Sequence, residues 1–239
     1  MGCECCKYGI NGDDAGTCKA PMKFRIRQGC ELDRGSNYTP PKKKRRKTEM
    51  KPIYIASCSF GKDSIATILL ALEHNEPLDR VVFAEVMFDH SRGISGEIPE
   101  HIEWIYKTAI PKLEGMGVKV DVVRSKKDYV YYFKTIRQRG AYVGMRYGFP
   151  LGGKCIIQTD CKLAPIHEYY KRFTDRTVIQ YVGIAANEGP RLTRLKDNQI
   201  SLLDKYGYDE DMAMAKCKEY NLVSPIYSGT YRGGGAGFV

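Results

Sequence analysis

The hexapeptide Ser59-Phe60-Gly61-Lys62-Asp63-Ser64 has the make-up of an anion cradle. A short apolar run from Ile53 to Ser57 precedes it, and Ile65, Ile68, Leu69 and Leu72 share one helical face after it. A strand turning into a helix at this point aims free backbone N–H groups at one spot, where the helix dipole adds partial positive charge. Lys62 brings a full charge, Ser59 and Ser64 bring hydroxyls, and Gly61 lets the backbone come close. Such a set suits a pyrophosphate or phosphosulfate. Asp63, an anion beside an anion site, suits a Mg²⁺ link or a helix cap. The spacing is not the common P-loop, because Ala56 and Asp63 stand where that motif needs Gly and Ser/Thr. It also lacks the three glycines of the dinucleotide fingerprint. An ordinary strand–helix turn with a cap is the plain structural alternative.

The second chemical resource is sulfur. The chain has 239 residues and nine cysteines, five of them (Cys3, Cys5, Cys6, Cys18, Cys30) within residues 1–36. No apolar signal region opens the sequence, so the expected compartment is cytoplasmic, and clustered thiols there point to metal binding rather than a disulfide frame. Cys3, Cys6, Cys18 and Cys30 supply four ligands for zinc, with Cys3-x-x-Cys6 as the knuckle-like part. Reduced thiols without metal are the alternative. Cys58 and Cys217 read as packed thiols.

Charge is unevenly placed. The net charge is +10, and residues 1–49 hold twelve Lys/Arg against six Asp/Glu. The run Lys42-Lys43-Lys44-Arg45-Arg46-Lys47 reads as an extended, solvated linker, with nucleic-acid phosphates as its possible partner or a nuclear localisation signal as its role. No stretch of about 18 apolar residues is present, which excludes a membrane-spanning helix.

The elements that must position these residues alternate. Strands are expected at Ile53–Ser57, Arg80–Phe88 ending at Asp89, Val118–Val123 and Val178–Ile184. Helices are expected over 63–75, over 98–113 (Ile98, Ile102, Ile105, Ala109, Leu113), over 129–136, over about 191–205 and over 209–220. This is the pattern of an α/β fold, a Rossmann-like parallel sheet flanked by helices with ligands at the carboxyl ends of its strands. Three parts are expected: a Cys-rich, possibly metal-binding segment at 1–36, a basic linker at 37–51 and a nucleotide-binding domain at 52–239.

The ordered set of motifs resembles one family. Ser59-Phe60-Gly61-Lys62-Asp63-Ser64 is similar to the PP-loop of the adenine nucleotide alpha-hydrolase superfamily, usually Ser-Gly-Gly-Lys-Asp-Ser, with the first Gly replaced as in its PAPS reductase-like branch. Phe88-Asp89 with Gly93-Ile94-Ser95, Cys155 with Cys161-Lys162 and Pro165-Ile166, Gly183-Ile184-Ala185-Ala186 with Glu188, Arg191 and Arg194, and Ser224-Pro225-Ile226-Tyr227 follow in that branch's order. The resemblance covers roughly 51–235. It implies that Ser59, Gly61, Lys62, Asp63 and Ser64 hold phosphates and that Ser57 and Phe60 belong to the nucleotide-binding site, with Lys62 and Asp63 the catalytic pair. It implies Asp89 and Glu188 beside the nucleotide, Gly183 and Ile184 in the adenine floor, and Arg191 and Arg194 as an oxyanion clamp. The ligand is ATP or APS/PAPS, with Mg²⁺ as a possible companion. The activity is sulfur transfer or sulfonucleotide reduction with a thiol donor or sulfur-carrier protein, or alternatively ATP-driven adenylation of a nucleic acid or small molecule before thiolation. A non-catalytic nucleotide- or nucleic-acid-binding module is the third reading. Cys155 and Cys161 match half of the branch's four-cysteine site for zinc or an iron–sulfur cluster. Gly235-Ala236-Gly237-Phe238 stands where relatives carry the other pair, and the Glu-Cys-Gly-Leu-His tail of sulfonucleotide reductases is absent. One expectation is that the N-terminal cysteines complete the site with Cys155 and Cys161.

Overall fold

The computed structural model describes residues 51–148 and 155–227. Cys3, Cys6, Cys18, Cys30 and the run Lys42–Lys47 lie outside them. So do the Gly-rich segment after Tyr227 and the boundaries expected within the first 50 residues.

The order of elements is β1 (Ile53–Ser57), α1 (Lys62–Glu73), β2 (Arg80–Ala84), β3 (Met87–Asp89), β4 (Ile94–Ser95), α2 (Pro99–Trp104), α3 (Ile110–Gly115), β5 (Val120–Val123), α4 (Tyr129–Lys134), α5 (Ala164–Tyr170), β6 (Val178–Tyr181), α6 (Gly189–Leu192), β7 (Gln199–Ile200), α7 (Leu202–Lys205) and α8 (Glu210–Glu219). Five strands form a sheet in the order β5-β2-β1-β6-β7, every pair parallel. The order reverses between β1 and β6, and that switch point is where open α/β sheets leave a crevice. Both sheet faces are covered, as parallel sheets require. Alternate residues of β1 serve opposite faces: Ile53 and Ile55 pack with Val82 and Tyr169, while Ala56 joins the larger cluster with Ile65, Leu69 and Leu203. Helix α1 is buried continuously from Ser64 to Ala71, held between the sheet and α7 and α8. No helix among the described residues is long and apolar enough to cross a membrane.

Two prolines shape the helices around the site. Pro111 has no N–H to give and crowds the carbonyl four residues before it. The turn ahead of it, Ile105–Ala109, widens into a π-helix that joins α2 to α3. Pro165 has the same effect on Gln158–Leu163, which leads into α5 and carries Cys161 and Lys162.

Several expected elements change in extent. The run Arg80–Phe88 is two strands, because the chain leaves the main sheet at Glu85 and β3 pairs antiparallel with β4 in a separate hairpin. Gly93, with φ of 65°, makes the turn between β3 and β4. Helix α4 stops at Lys134, and Ile136 lies in a bridge to Arg146. The helix expected over 191–205 is interrupted by the edge strand β7, and β6 ends at Tyr181 rather than Ile184.

Phe60 is the strained point of the core. Its φ is 58°, a left-handed conformation that costs a non-glycine residue about 1–2 kcal/mol. The ring is fully buried and meets Phe83 edge-on with centroids 5.2 Å apart. Burial of a phenyl group outweighs that cost. Phe60→Ala keeps the strain and removes the ring, and chemical denaturation is expected to show a loss of about 3–5 kcal/mol.

Candidate nucleotide site at the switch point

The loop between β1 and α1 leaves its backbone donors unspent. Gly61 occupies the position before the helix, in extended backbone, and no side chain caps α1. Ile65 is the first residue to donate within the helix, to the Gly61 carbonyl at 3.0 Å. The N–H groups of Asp63 and Ser64 therefore have no acceptor among the described residues, as the first turn of a helix leaves them. Lys62 N–H donates to the Tyr227 hydroxyl at 2.9 Å, which leaves that hydroxyl its own proton to give. The expectation that Ser64 offers its hydroxyl is modified, because that group donates to the Gly61 carbonyl at 2.9 Å and accepts from the Cys58 thiol at 3.5 Å. Burial, opposed by the Ser64 and Phe60 contacts, pushes the Cys58 thiol up to about 11, so it is a packed, protonated group.

A cavity of about 320 Å³ opens at this point. Ser57, Ser59 and Ser64 line it from the loop, and Gly183 and Ile184 line it from the exit of β6. Lys162, Tyr170 and Arg191 close other sides. Gly183 is here for space rather than for an unusual φ. A Cβ on it would lie 2.7 Å from Ser64 N, 2.8 Å from Asp63 C and 2.9 Å from Ser64 Cα. The exit of β6 thus rests directly on the first turn of α1, next to the unspent donors.

The charged residues are arranged less simply than their types suggest. Lys62 Nζ is 2.9 Å from Asp63 and 2.9 Å from Glu210, the first residue of α8. Burial lowers the Lys62 pKa, but the hydrogen bonds to Glu210 and Asp63 outweigh it and hold the ammonium above its usual value. Asp63 is raised, by burial first and then by Glu210 and Glu188, against the pull of Lys62. Asp63 spends its carboxylate on Lys62 rather than on capping α1. Glu188 accepts from Ala185 N–H at 3.1 Å and pairs with Arg191. Lys162 lines the cavity without an ion pair to any described residue. Glu210→Gln removes one competitor for the Lys62 ammonium, and titration is expected to show about 3–10-fold tighter nucleotide binding, a size set by the half-exposed position of Glu210.

Gly61, Lys62, Asp63 and Glu188 are not among the residues lining the cavity, and three further expected site residues lie elsewhere. Phe60 places its ring in the core, so only its backbone belongs to the loop. Asp89 ends β3 rather than β2 and does not line the cavity; its carboxylate accepts from Ser91 N–H at 2.9 Å and Ser91 Oγ at 2.6 Å. Ala84, at the true end of β2, takes the place in the cavity wall. Arg194 is exposed on the turn after α6, away from the lining residues, while Arg191 is in the wall.

Cys161 belongs to a buried cluster with Val86, Tyr129 and Ile157, and Cys155, partly buried, packs against that cluster. Cys161 donates to the Lys127 carbonyl at 3.3 Å, and burial pushes its thiol up to about 11. Among the described residues no group of three or more His, Cys, Asp or Glu is placed to hold a metal. These two thiols alone do not fit a zinc or iron–sulfur site.

His101 was not readable from the motifs, and Tyr227 stood in the Ser224-Pro225-Ile226-Tyr227 motif without a role. His101 is fully buried, with Nδ1 2.7 Å from Ser224 Oγ and Nε2 3.3 Å from the Ser59 carbonyl. A neutral ring protonated on Nε2 satisfies both contacts and ties the loop to the turn at Pro225–Tyr227. Burial lowers the His101 pKa below 6.5. A depressed folded value means the contribution is present above about pH 6.5 and is lost as the pH falls through the folded value. The melting temperature is expected to drop on acidification across that window in the wild type, and less in His101→Gln.

No family model matches the sequence, and no curated protein matches it. Solved structures do resemble it in fold. Phosphoadenylyl-sulfate (PAPS) reductase from Candida auris, in a phosphate complex, is 11% identical with a TM-score of 0.46, the match covering 74% of this chain and 77% of that one. The U34-tRNA thiolase NcsA from Methanococcus maripaludis, with its [4Fe-4S] cluster, is 15% identical with a TM-score of 0.42, covering 79% of this chain and 64% of that one.

Proposed function

We propose that the chain is a PP-loop enzyme of the PAPS reductase-like kind, which binds an adenine nucleotide at the switch point and uses it in sulfur transfer. The observation that carries this is the uncapped first turn of α1, whose Asp63 and Ser64 N–H groups have no acceptor among the described residues, next to a cavity lined by Ser59, Ser64 and Gly183. Phosphate oxygens accept from those groups, with the Tyr227 hydroxyl and the ammonium groups of Lys62 and Lys162 as further donors. Adenine and ribose occupy the remaining cavity between Ile184 and Tyr170. Mg²⁺ binds through one or two carboxylates together with phosphate oxygens, and Asp63 is the residue of this chain that would hold it.

Adenylation of an acceptor is favoured over sulfonucleotide reduction by one specific observation. Reduction needs a thiolate to attack sulfur, and Cys58, the cysteine in the cavity wall among the described residues, is buried with its thiol pushed up to about 11. Adenylation needs no cysteine: an acceptor oxygen attacks the α-phosphate, pyrophosphate leaves, and sulfur then displaces AMP. Incubation with ATP, Mg²⁺ and candidate acceptors tests this reading through release of pyrophosphate. Sulfite released from PAPS with a thiol donor would assign reduction instead. Nucleotide binding with neither product would assign a sensor.

A further inference from the structure

Residues 124–147 hold seven Lys/Arg and a single carboxylate, Asp128. That carboxylate is spent inside the fold, accepting from Tyr131 N–H at 2.6 Å and His90 N–H at 2.8 Å. After α4 the chain turns into a short hairpin. Arg137 N–H donates to the Met145 carbonyl at 2.8 Å, and Tyr147 N–H donates to the Thr135 carbonyl at 2.9 Å. Lys126, Lys134, Arg139 and Arg146 are exposed here, and with Arg137 none has a carboxylate partner among the described residues. A merely solvated face interleaves both signs, because unneutralised like charges repel.

Aromatic rings share this face. Tyr131 is 49% exposed and Tyr142 is 61% exposed. Lys127 Nζ lies 5.6 Å from the Tyr131 ring centre, and the Arg137 guanidinium lies 5.7 Å from Tyr142 and 4.7 Å from Tyr147. Each ring therefore presents a π-face beside a fixed cation. An open cavity of about 710 Å³ continues the surface at the carboxyl end of β5, walled by Lys126 and Arg172, by Arg124 and Lys127, which pair with Glu85 and Asp160, and by Glu168. Asp160 belongs to that cavity, and Lys162, two residues on in the same π-helical turn, belongs to the nucleotide cavity.

We infer that this surface binds single-stranded nucleic acid, with phosphates on the free cations and unpaired bases stacked on Tyr131 and Tyr142. Cations account for polyanion binding of any kind. The exposed rings select a strand whose bases are free to stack, which a duplex does not offer. The cations and rings named lie within residues 124–147 and do not depend on what the loop at Ser59–Ser64 holds.

The test is fluorescence anisotropy of the full chain with a labelled oligonucleotide of about 20 nucleotides, single-stranded or duplex, over a salt series. Tyr131→Ala/Tyr142→Ala is expected to weaken single-strand binding about tenfold or more at unchanged melting temperature. Arg139→Ala/Arg146→Ala is expected to flatten the log–log salt dependence by about 1.4. Glutamine at residues 42–47 leaves the ring effect intact. Unchanged affinity in the ring variant, duplex binding as tight as single-strand binding, or loss of all affinity with the 42–47 substitutions would overturn the inference. Nucleotide affinity measured on the same variants reports on the loop separately.

Discussion

Replacing Gly183 by alanine is expected to remove nucleotide binding while the domain still folds. The added methyl group would meet only backbone: Ser64 N at 2.7 Å, Asp63 C at 2.8 Å and Ser64 Cα at 2.9 Å. No flexible side chain is there to swing away, so the exit of β6 and the first turn of α1 must separate. Overpacking of this kind costs about 1–3 kcal/mol, or a fall of several degrees in melting temperature for a domain of this size. The binding loss is larger, because the methyl group lies against Ser64 N and displaces the first turn of α1, which carries the Asp63 and Ser64 N–H groups. Two charge-assisted hydrogen bonds at about 1.5–3 kcal/mol each amount to roughly a hundredfold loss or more. Calorimetric titration with ATP, alongside a melting curve, separates the two effects. A variant that melts lower yet binds normally would show that Gly183 serves packing alone.

Lys62→Ala is expected to weaken ATP and PAPS binding by about 100-fold or more. One charge-assisted contact to phosphate accounts for about 10–100-fold. The remainder comes from what the lysine leaves behind, since Asp63 and Glu210, both within 2.9 Å of its ammonium, become two carboxylates facing an anionic ligand. That origin makes the effect non-additive. In Lys62→Ala/Glu210→Gln part of the affinity returns, although Glu210→Gln touches no ligand atom, and the cycle measures the coupling. Equal losses in the single and double variants would mean that Glu210 does not compete for Lys62.

The strand–turn–helix around Ser59–Ser64 was legible because it is local. Strand, turn and helix fall within twenty residues, and Ile53–Ser57 and the apolar face at Ile65, Ile68, Leu69 and Leu72 mark them directly. The parallel sheet was legible from the alternation of elements. What the sequence did not disclose are the partners brought in from far along the chain. Glu210 reaches Lys62 across 148 positions, and Tyr227 reaches it across 165. His101 reads as one position in an amphipathic helix until Ser59 and Ser224 are placed on either side of its ring. Asp89 misled for the opposite reason. Its apolar run looked continuous, whereas the sheet ends at Ala84 and Gly93 folds the rest into a hairpin. The edge strand β7 has two residues, too few for any period to reveal it. Phe60 carried a signal that was visible and two-sided: a bulky residue where glycine is usual marks both the left-handed backbone and the ring that must go inward.

The central claim is that the first turn of α1 holds the phosphates of an adenine nucleotide. A crystal structure of the protein grown with ATP and Mg²⁺ tests it most directly. The predicted result is phosphate oxygens within hydrogen-bonding distance of the Asp63 and Ser64 N–H groups, the adenine beside Ile184, and Lys62 turned from Glu210 toward the ligand. A nucleotide seated elsewhere, with Lys62 still held by Asp63 and Glu210 and the space before Gly183 filled by nothing but solvent, would contradict it.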